Sequence, residues 1–320
     1  RIVTCAYLTF FFDSSILPFA ETRPFPYTTL NSTGTTSLKA ITATSLTTKT
    51  GGTTQLNGNV TTSGNQTYND KVNGGDLTLD AGSSNITFAD TGTFGNLTLN
   101  STGTTSLKAI TATSLTTNTG GTTQLNGNVT TSGNQTYNDK VNGGDLTLDA
   151  GSSNITFADT GTFGNLTLNS TGTTSLKAIT ATSLTTNTGG TTQLNGNVKT
   201  TGNQTYNDTV NIANNPILTG NGITFNNTVN GNSNLTANSG TGKISFSSKV
   251  GNTTPLGNVS LTGNEIDFSD NVKGTGSLTL QPFTDNKNIT ISAAANNTAD
   301  LNLTTTAIGF LQDGFSSINI

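Results

Sequence analysis

The chain has 320 residues, 30% of them hydrophobic and only 9% charged, with a formal net charge of −4 and no histidine. Two arginines, Arg1 and Arg23, and eleven scattered lysines lack the clustered cations that phosphate contacts need, which argues against nucleic acid as a partner. With Cys5 as the sole cysteine there is neither a disulfide framework nor a cysteine metal site, and the residue most used for proton transfer near neutrality is missing.

Residues 1–27 differ from everything after them. Residues 1–30 hold both arginines, Cys5, three of the six prolines (Pro18, Pro24, Pro26) and five of the fifteen phenylalanines. Arg1 followed by an apolar stretch to Phe12 has the outline of a secretory signal, but Asp13 interrupts it and Pro18-Phe19-Ala20 is a poor cleavage site. The segment is expected to be a signal-like remnant or the edge of a fragment, and the lack of any Met points the same way. No stretch reaches the roughly 18 apolar residues of a bilayer span.

From residue 28 the chain repeats. Residues 31–99 recur as 100–168 with one difference, Lys49 against Asn118, and the decapeptide beginning at Asn31 returns at Asn100 and Asn169. A repeated unit of this kind buries its apolar side against its neighbours and not around one centre. Residues 28–210 are therefore expected to form one repeat array, with residues 211–320 a diverged and truncated continuation. Thr, Asn, Ser and Gly disfavour helix interiors, whereas Thr among regularly placed Leu, Ile and Val suits a pleated strand.

The strands themselves are short. Leu-Thr-Leu triplets stand at 77–79, 97–99, 146–148, 166–168 and 278–280, and Ile-x-Phe triplets at 86–88, 155–157, 223–225, 244–246 and 266–268. In each, two apolar side chains face one way and the polar middle residue faces the other. Asn-Gly, Gly-Gly and Asn-Ser-Thr-Gly between them are turn formers. In the diverged part Ile223, Ile244, Ile266 and Ile289 follow one another at intervals of 21, 22 and 23, and the period of 69 divides into three lengths of 23. The expected fold is all-β: a right-handed parallel β-helix of about 22–23 residues per coil, three strands to a coil. On the order of 13 coils at the ~4.8 Å spacing of paired strands would make a rod of around 60 Å. The expected inward residues are Leu97, Leu99, Leu107, Ile110, Leu115, Leu125, Val129, Val141, Leu146, Leu148, Ile155, Phe157 and Phe163.

Candidate sites give little chemistry. Asp70, Asp76, Asp80 and Asp90 recur as Asp139, Asp145, Asp149 and Asp159, and a residue copied with every unit reads as a turn or cap sooner than as part of an acid pair built once. The only glutamates are Glu21 and Glu265. Asn73-Gly-Gly-Asp-Leu-Thr-Leu79 lacks the tandem nonapeptide spacing of a calcium-binding roll. Asn-x-Ser/Thr sequons, among them Asn31, Asn59, Asn65, Asn85, Asn96, Asn100, Asn234, Asn288 and Asn302, are abundant because Asn, Ser and Thr are abundant, although a secreted chain could be glycosylated there. Thr-x-Thr pairs raise the idea of an ice-binding face, but threonine positions shift between the three equal subdivisions of the repeat. Tyr68, Tyr137 and Tyr206, in Gly-Asn-Gln-Thr-Tyr-Asn-Asp, suit turn packing better than an aromatic stripe for glycans. No catalytic, cofactor-binding or metal-ligating residue is nominated, and no cofactor is expected.

The segment Gly58-Asn-Val-Thr-Thr-Ser-Gly-Asn-Gln-Thr-Tyr-Asn-Asp70, repeated from 127 and, with Lys199 and Thr201 substituted, from 196, resembles repeats of filamentous-haemagglutinin-like exoproteins of two-partner secretion and related bacterial repeat adhesins. The ending Leu311-Gln-Asp-Gly-Phe-Ser-Ser-Ile-Asn-Ile320, after the Leu301-Asn-Leu303 strand, is similar to a segment of the same giant proteins. The resemblance covers about residues 28–320. It implies a right-handed parallel β-helix, secretion to the bacterial cell surface through an outer-membrane transporter, and contacts with surface glycans, proteins or extracellular matrix. The expected role is a structural stalk of a secreted adhesin, not an enzyme. The alternatives are a polysaccharide lyase or hydrolase on the same fold, or a calcium-stabilised surface-layer protein.

Overall fold

The computed structural model describes residues 7–12, 25–118, 120–284, 286–293 and 301–320. The chain is all-β, with every strand pairing parallel, and forms a β-solenoid of about 13 turns in total. These fall in two compact units, Arg1–Asp159 and Thr160–Ile320. Most of the signal-like segment, Cys5 and Glu21 included, lies outside the described residues. Within it, Tyr7–Phe12 pairs in parallel with Phe25–Ser32.

Three ladders build the first unit. One runs Leu46, Gln66, Ile86, Thr105, Thr123, Val141. The second runs Val72, Gly92, Ile110, Val129, Leu148. The third runs Leu77, Leu97, Leu115, Gln135, Ile155. Alternation decides which side chains point inward: Ile86 and Phe88 are buried while Thr87 between them is half-buried. All thirteen residues expected inside are buried. Each large one contributes about 1.5–3 kcal/mol by leaving water, and that burial is realised only when a neighbouring turn covers it.

The turn is shorter than the repeat arithmetic implied. Successive rungs of these ladders follow at sequence spacings of 18–20, as from Leu97 to Leu115 and from Leu115 to Gln135. Residues 31–99 contain nine strands, of which Ile41–Thr48 and Gly92–Ser101 each pass a corner and serve two ladders. That makes eleven strand segments, or 3⅔ turns at three per turn, where division of 69 by 23 implied three whole turns. The consequence is a phase shift. Ile86 stacks on Gln66, but its copy Ile155 stacks on Gln135 in a different ladder of the same unit.

The second unit keeps spacings of 18–20 through its copied part, for example Leu166, Leu184, Gln204 and Ile223. Beyond that, Ile223, Ile244 and Ile266 pair at the expected 21 and 22, because longer corners are inserted. Ile289 leaves the series and pairs with Leu301. Tyr206, Phe225, Phe246 and Phe268 stack on four successive turns, with ring centroids 5.1, 4.7 and 5.4 Å apart. Among the described residues one short helix, Thr305–Gly309, is capped by the Thr304 hydroxyl, which accepts from the Ala307 N–H at 3.0 Å.

Candidate functional site

The first two copies of the repeat build the same corner from strands one turn apart, and the third a variant of it. Thr48 ends Ile41–Thr48, Thr54 lies in Thr53–Leu56, and Asp70 precedes Lys71–Gly74. The Asn69 N–H donates to the Thr48 Oγ1 at 3.1 Å, and the Thr48 hydroxyl donates to Asp70 Oδ1 at 2.5 Å. The Thr54 hydroxyl reaches Oδ2 at 3.0 Å. Thr117, Thr123 and Asp139 repeat the arrangement at 2.6 and 2.9 Å. In the third copy the Gly190 N–H and the Thr192 hydroxyl hold Asp208 at 3.0 and 2.9 Å.

These aspartates are interior residues, 4%, 2% and 1% exposed, where the recurrence had suggested turns. Burial pushes all three carboxyls above the ordinary aspartate range, against the pull of the donors. For Asp70 the nearby Asp90 carboxylate adds to the rise. Lys49 is no counter-ion for Asp70, since Asp139 shifts the same way with Asn118 in its place.

Beside this corner lies a polar hollow of about 420 Å³, lined by residues 33–35 and 51–53 with Lys71 and Asp90. A hollow of about 380 Å³ lined by residues 102–104 and 120–122 with Lys140 and Asp159 is its copy. Gly52 is required there by packing: a Cβ would stand 2.5 Å from the Gly34 carbonyl oxygen and 2.6 Å from that of Ser32. The lining is hydroxyl and peptide groups with one cation and one anion. Asp70, engaged by two hydroxyls and buried, presents no open carboxylate to a substrate.

Asp80 and Asp149 behave as the turn reading expects: they accept from the N–H of Gly82 and Gly151 at 2.9 Å. Asp76 accepts from the Asn96 N–H one turn on at 2.8 Å, which holds its carboxyl below the usual range. Glu265 and Asp267 flank Lys243 at 2.8 and 3.2 Å on the surface. Among the described residues no three His, Cys, Asp or Glu side chains gather as a metal group. Tyr68, Tyr137 and Tyr206 are fully buried, each donating to a buried glutamine Oε1 at 2.9–3.0 Å, so they belong to the core and form no outer stripe.

The outward threonines differ from expectation. Because the turn advances the chain by only 18–20 positions, Thr78, Thr98, Thr116, Thr136 and Thr156 fall in register on five successive turns. Thr29, Thr47, Thr67 and Thr87 form a second column of that unit. Thr167, Thr185, Thr205 and Thr224 form another in the second unit. Beside the five-threonine column stand Asp76, Asn96, Ser114, Asn134 and Asn154 on one side and Asp80, Asn100, Asn118, Asn138 and Ala158 on the other. Several of these bond to the neighbouring turn, as when the Asn154 N–H donates to Asn134 Oδ1 at 3.0 Å and Asn138 Nδ2 donates to the Thr117 oxygen at 2.9 Å. Among the described residues no helix is long and apolar enough to cross a membrane. No family model, curated protein or solved structure matches the chain.

Proposed function

We propose that the chain is a structural stalk region of a secreted bacterial surface adhesin, supporting adhesion without catalysing a reaction. The observation that carries this reading is the duplicated interior: ladders of inward Leu, Ile, Val and Phe, with one Asp–Thr corner and one buried Tyr–Gln pair per copy, repeat with the sequence. Such an interior gives each turn its stability from the turns beside it, so copies can be added without designing a new core. Asp70 and Asp76 are spent on bonds to a neighbouring turn and Asp80 on its own corner, which favours a scaffold over a hydrolytic centre. Export by an outer-membrane transporter and contact with surface glycans, proteins or matrix follow from the resemblance of residues 58–70 and their copies.

The test has two arms. A heterologous binding domain displayed on bacteria ahead of this chain is expected to capture immobilised ligand better than the same domain displayed without it. The purified chain, incubated with pectin, alginate, cellulose and chitin, is expected to release no new reducing ends or unsaturated products. Specific cleavage of any of these would replace the stalk by the enzyme.

A further inference from the structure

We propose that the outward threonine columns, foremost the one that carries Thr98, Thr116, Thr136 and Thr156, are ice-binding faces. The five-threonine column repeats at the strand spacing of about 4.8 Å, and residues two apart along each strand stand about 6.6 Å apart. The result is a column of hydroxyls in strand register over the turns that carry Thr98, Thr116, Thr136 and Thr156, flanked by Asn96, Ser114, Asn134 and Asn154 before it and by Asn100, Asn118 and Asn138 after it. The shorter of the two repeats lies close to the oxygen repeat along the a axis of ice.

Three properties select the occupant. First, the array is stiff: each threonine is β-branched with few rotamers, sits between two buried residues of its own strand, and is half-buried itself. The flanking asparagines are fixed by bonds between turns. A preorganised surface gives up little side-chain entropy when it meets an ordered lattice. Second, between Asn96 and Thr156 the threonine column and its flanks carry no charge, the charged neighbours being Asp76 and Asp80 beside Thr78 and Lys49 beside Thr47, so this stretch offers an anionic glycan or nucleic acid no electrostatic attraction. Third, the same stretch from Asn96 to Thr156 presents no aromatic ring on which a sugar could stack. Threonine offers a methyl group to sit in a lattice hollow and a hydroxyl to replace a lattice water. An uncharged lattice of water molecules answers all three.

The 3⅔-turn repeat adds a consequence. The column of Thr47, Thr67 and Thr87 and its copy of Thr116, Thr136 and Thr156 belong to different ladders of the same unit, so a second copy does not lengthen one column but opens a column on another face.

The test freezes a solution of the full chain slowly around a cold probe, with a labelled non-binding protein as control. The chain is expected to be enriched several-fold in the ice over the control, and to shape seed crystals in a droplet. The triple variant Thr67→Tyr, Thr116→Tyr, Thr205→Tyr is expected to fall to the control level, while Lys108→Tyr, at an exposed position away from the columns, stays enriched. Should the tyrosine variant lose its β-sheet circular dichroism, Thr67→Lys, Thr116→Lys, Thr205→Lys is the second disruption, expected to give the same loss. Exclusion of the wild-type chain from ice to the same extent as the control overturns the proposal. Retention on cellulose together with exclusion from ice overturns it too, in favour of a neutral polysaccharide.

Discussion

Replacing Phe246 tests whether the turns of the second unit sit in the described register. Phe246 is 1% exposed, and its ring lies 4.7 Å from Phe225 at 10° and 5.4 Å from Phe268 at 22°. Phe246→Ala removes a buried aromatic side chain and leaves a cavity, at a cost of about 3–5 kcal/mol. Phe246→Leu keeps much of the volume but loses both stacks, each worth about 0.5–1.5 kcal/mol beyond area, so about 1–3 kcal/mol is expected. A double-mutant cycle of Phe225→Leu with Phe246→Leu isolates one stack and should give a coupling of about 0.5–1.5 kcal/mol. Phe225→Leu with Phe268→Leu, two turns apart, should be additive within about 0.5 kcal/mol. Urea unfolding followed by circular dichroism supplies the energies, and hydrogen exchange shows whether the loss is confined to nearby turns, as expected where each turn depends on its neighbours. A first-cycle coupling of zero would mean the rings do not stack. Since a slip of one residue turns every inward side chain outward, it would refute the register.

Other parts of the interior respond in distinct ways. Tyr137→Phe strips the donor from the buried Gln135 Oε1 and is expected to cost about 1–3 kcal/mol in urea unfolding. Gly121→Ala places a Cβ 2.4 Å from the Ser101 oxygen and 2.6 Å from that of Gly103, forcing two turns apart at about 1–3 kcal/mol, whereas Gly144→Ala meets nothing within 4 Å and should leave the melting temperature unchanged. Asp70, Asp139 and Asp208 have folded pKa values raised by burial, so their protonation favours the folded state. Their contribution to stability therefore rises as pH falls through the folded values, and levels off below the ordinary aspartate value of about 3.9. Carbon-13 titration of the three carboxyls should show midpoints above that value, and Asp70→Asn, Asp139→Asn, Asp208→Asn should remove their share of the pH dependence. Midpoints at or below it would overturn the sign.

The inside of the solenoid was legible because burial there follows strict alternation. Leu97, Leu99, Ile155 and Phe157 read as inward from Leu-Thr-Leu and Ile-x-Phe alone, and are. Asp70 was not legible from local pattern. An aspartate between Asn69 and Lys71 looks like a turn, and what makes it an interior residue is Thr48 and Thr54, 22 and 16 positions earlier. A signal did exist: the Thr, Thr, Asp offsets return unchanged at 117, 123, 139 and at 186, 192, 208. The in-register threonines were hidden by the same error as the turn length, since a column is visible only when the sequence is wrapped at its true period.

That period escaped because a duplicated segment need not contain whole turns. Each strand asks only for compatible strands above and below, and the inward positions accept one another freely: Ile86 lies between Gln66 and Thr105, and Thr123 between Thr105 and Val141. Any whole number of strand segments can then be copied without a clash, and the eleven in each copy carry the next one to another ladder. Cysteine pairs distinguish this from the longer coil. In a Cys5→Ser background, Thr93→Cys with Thr111→Cys, which face each other across adjacent turns, should oxidise readily to an intramolecular disulfide. Thr93→Cys with Thr116→Cys, the pair that a coil of one third of the repeat would bring together, should not, because Thr116 pairs with Thr98 on the next face. The reverse outcome would restore three whole turns per copy, and the threonine columns would dissolve with the shorter turn that aligns them.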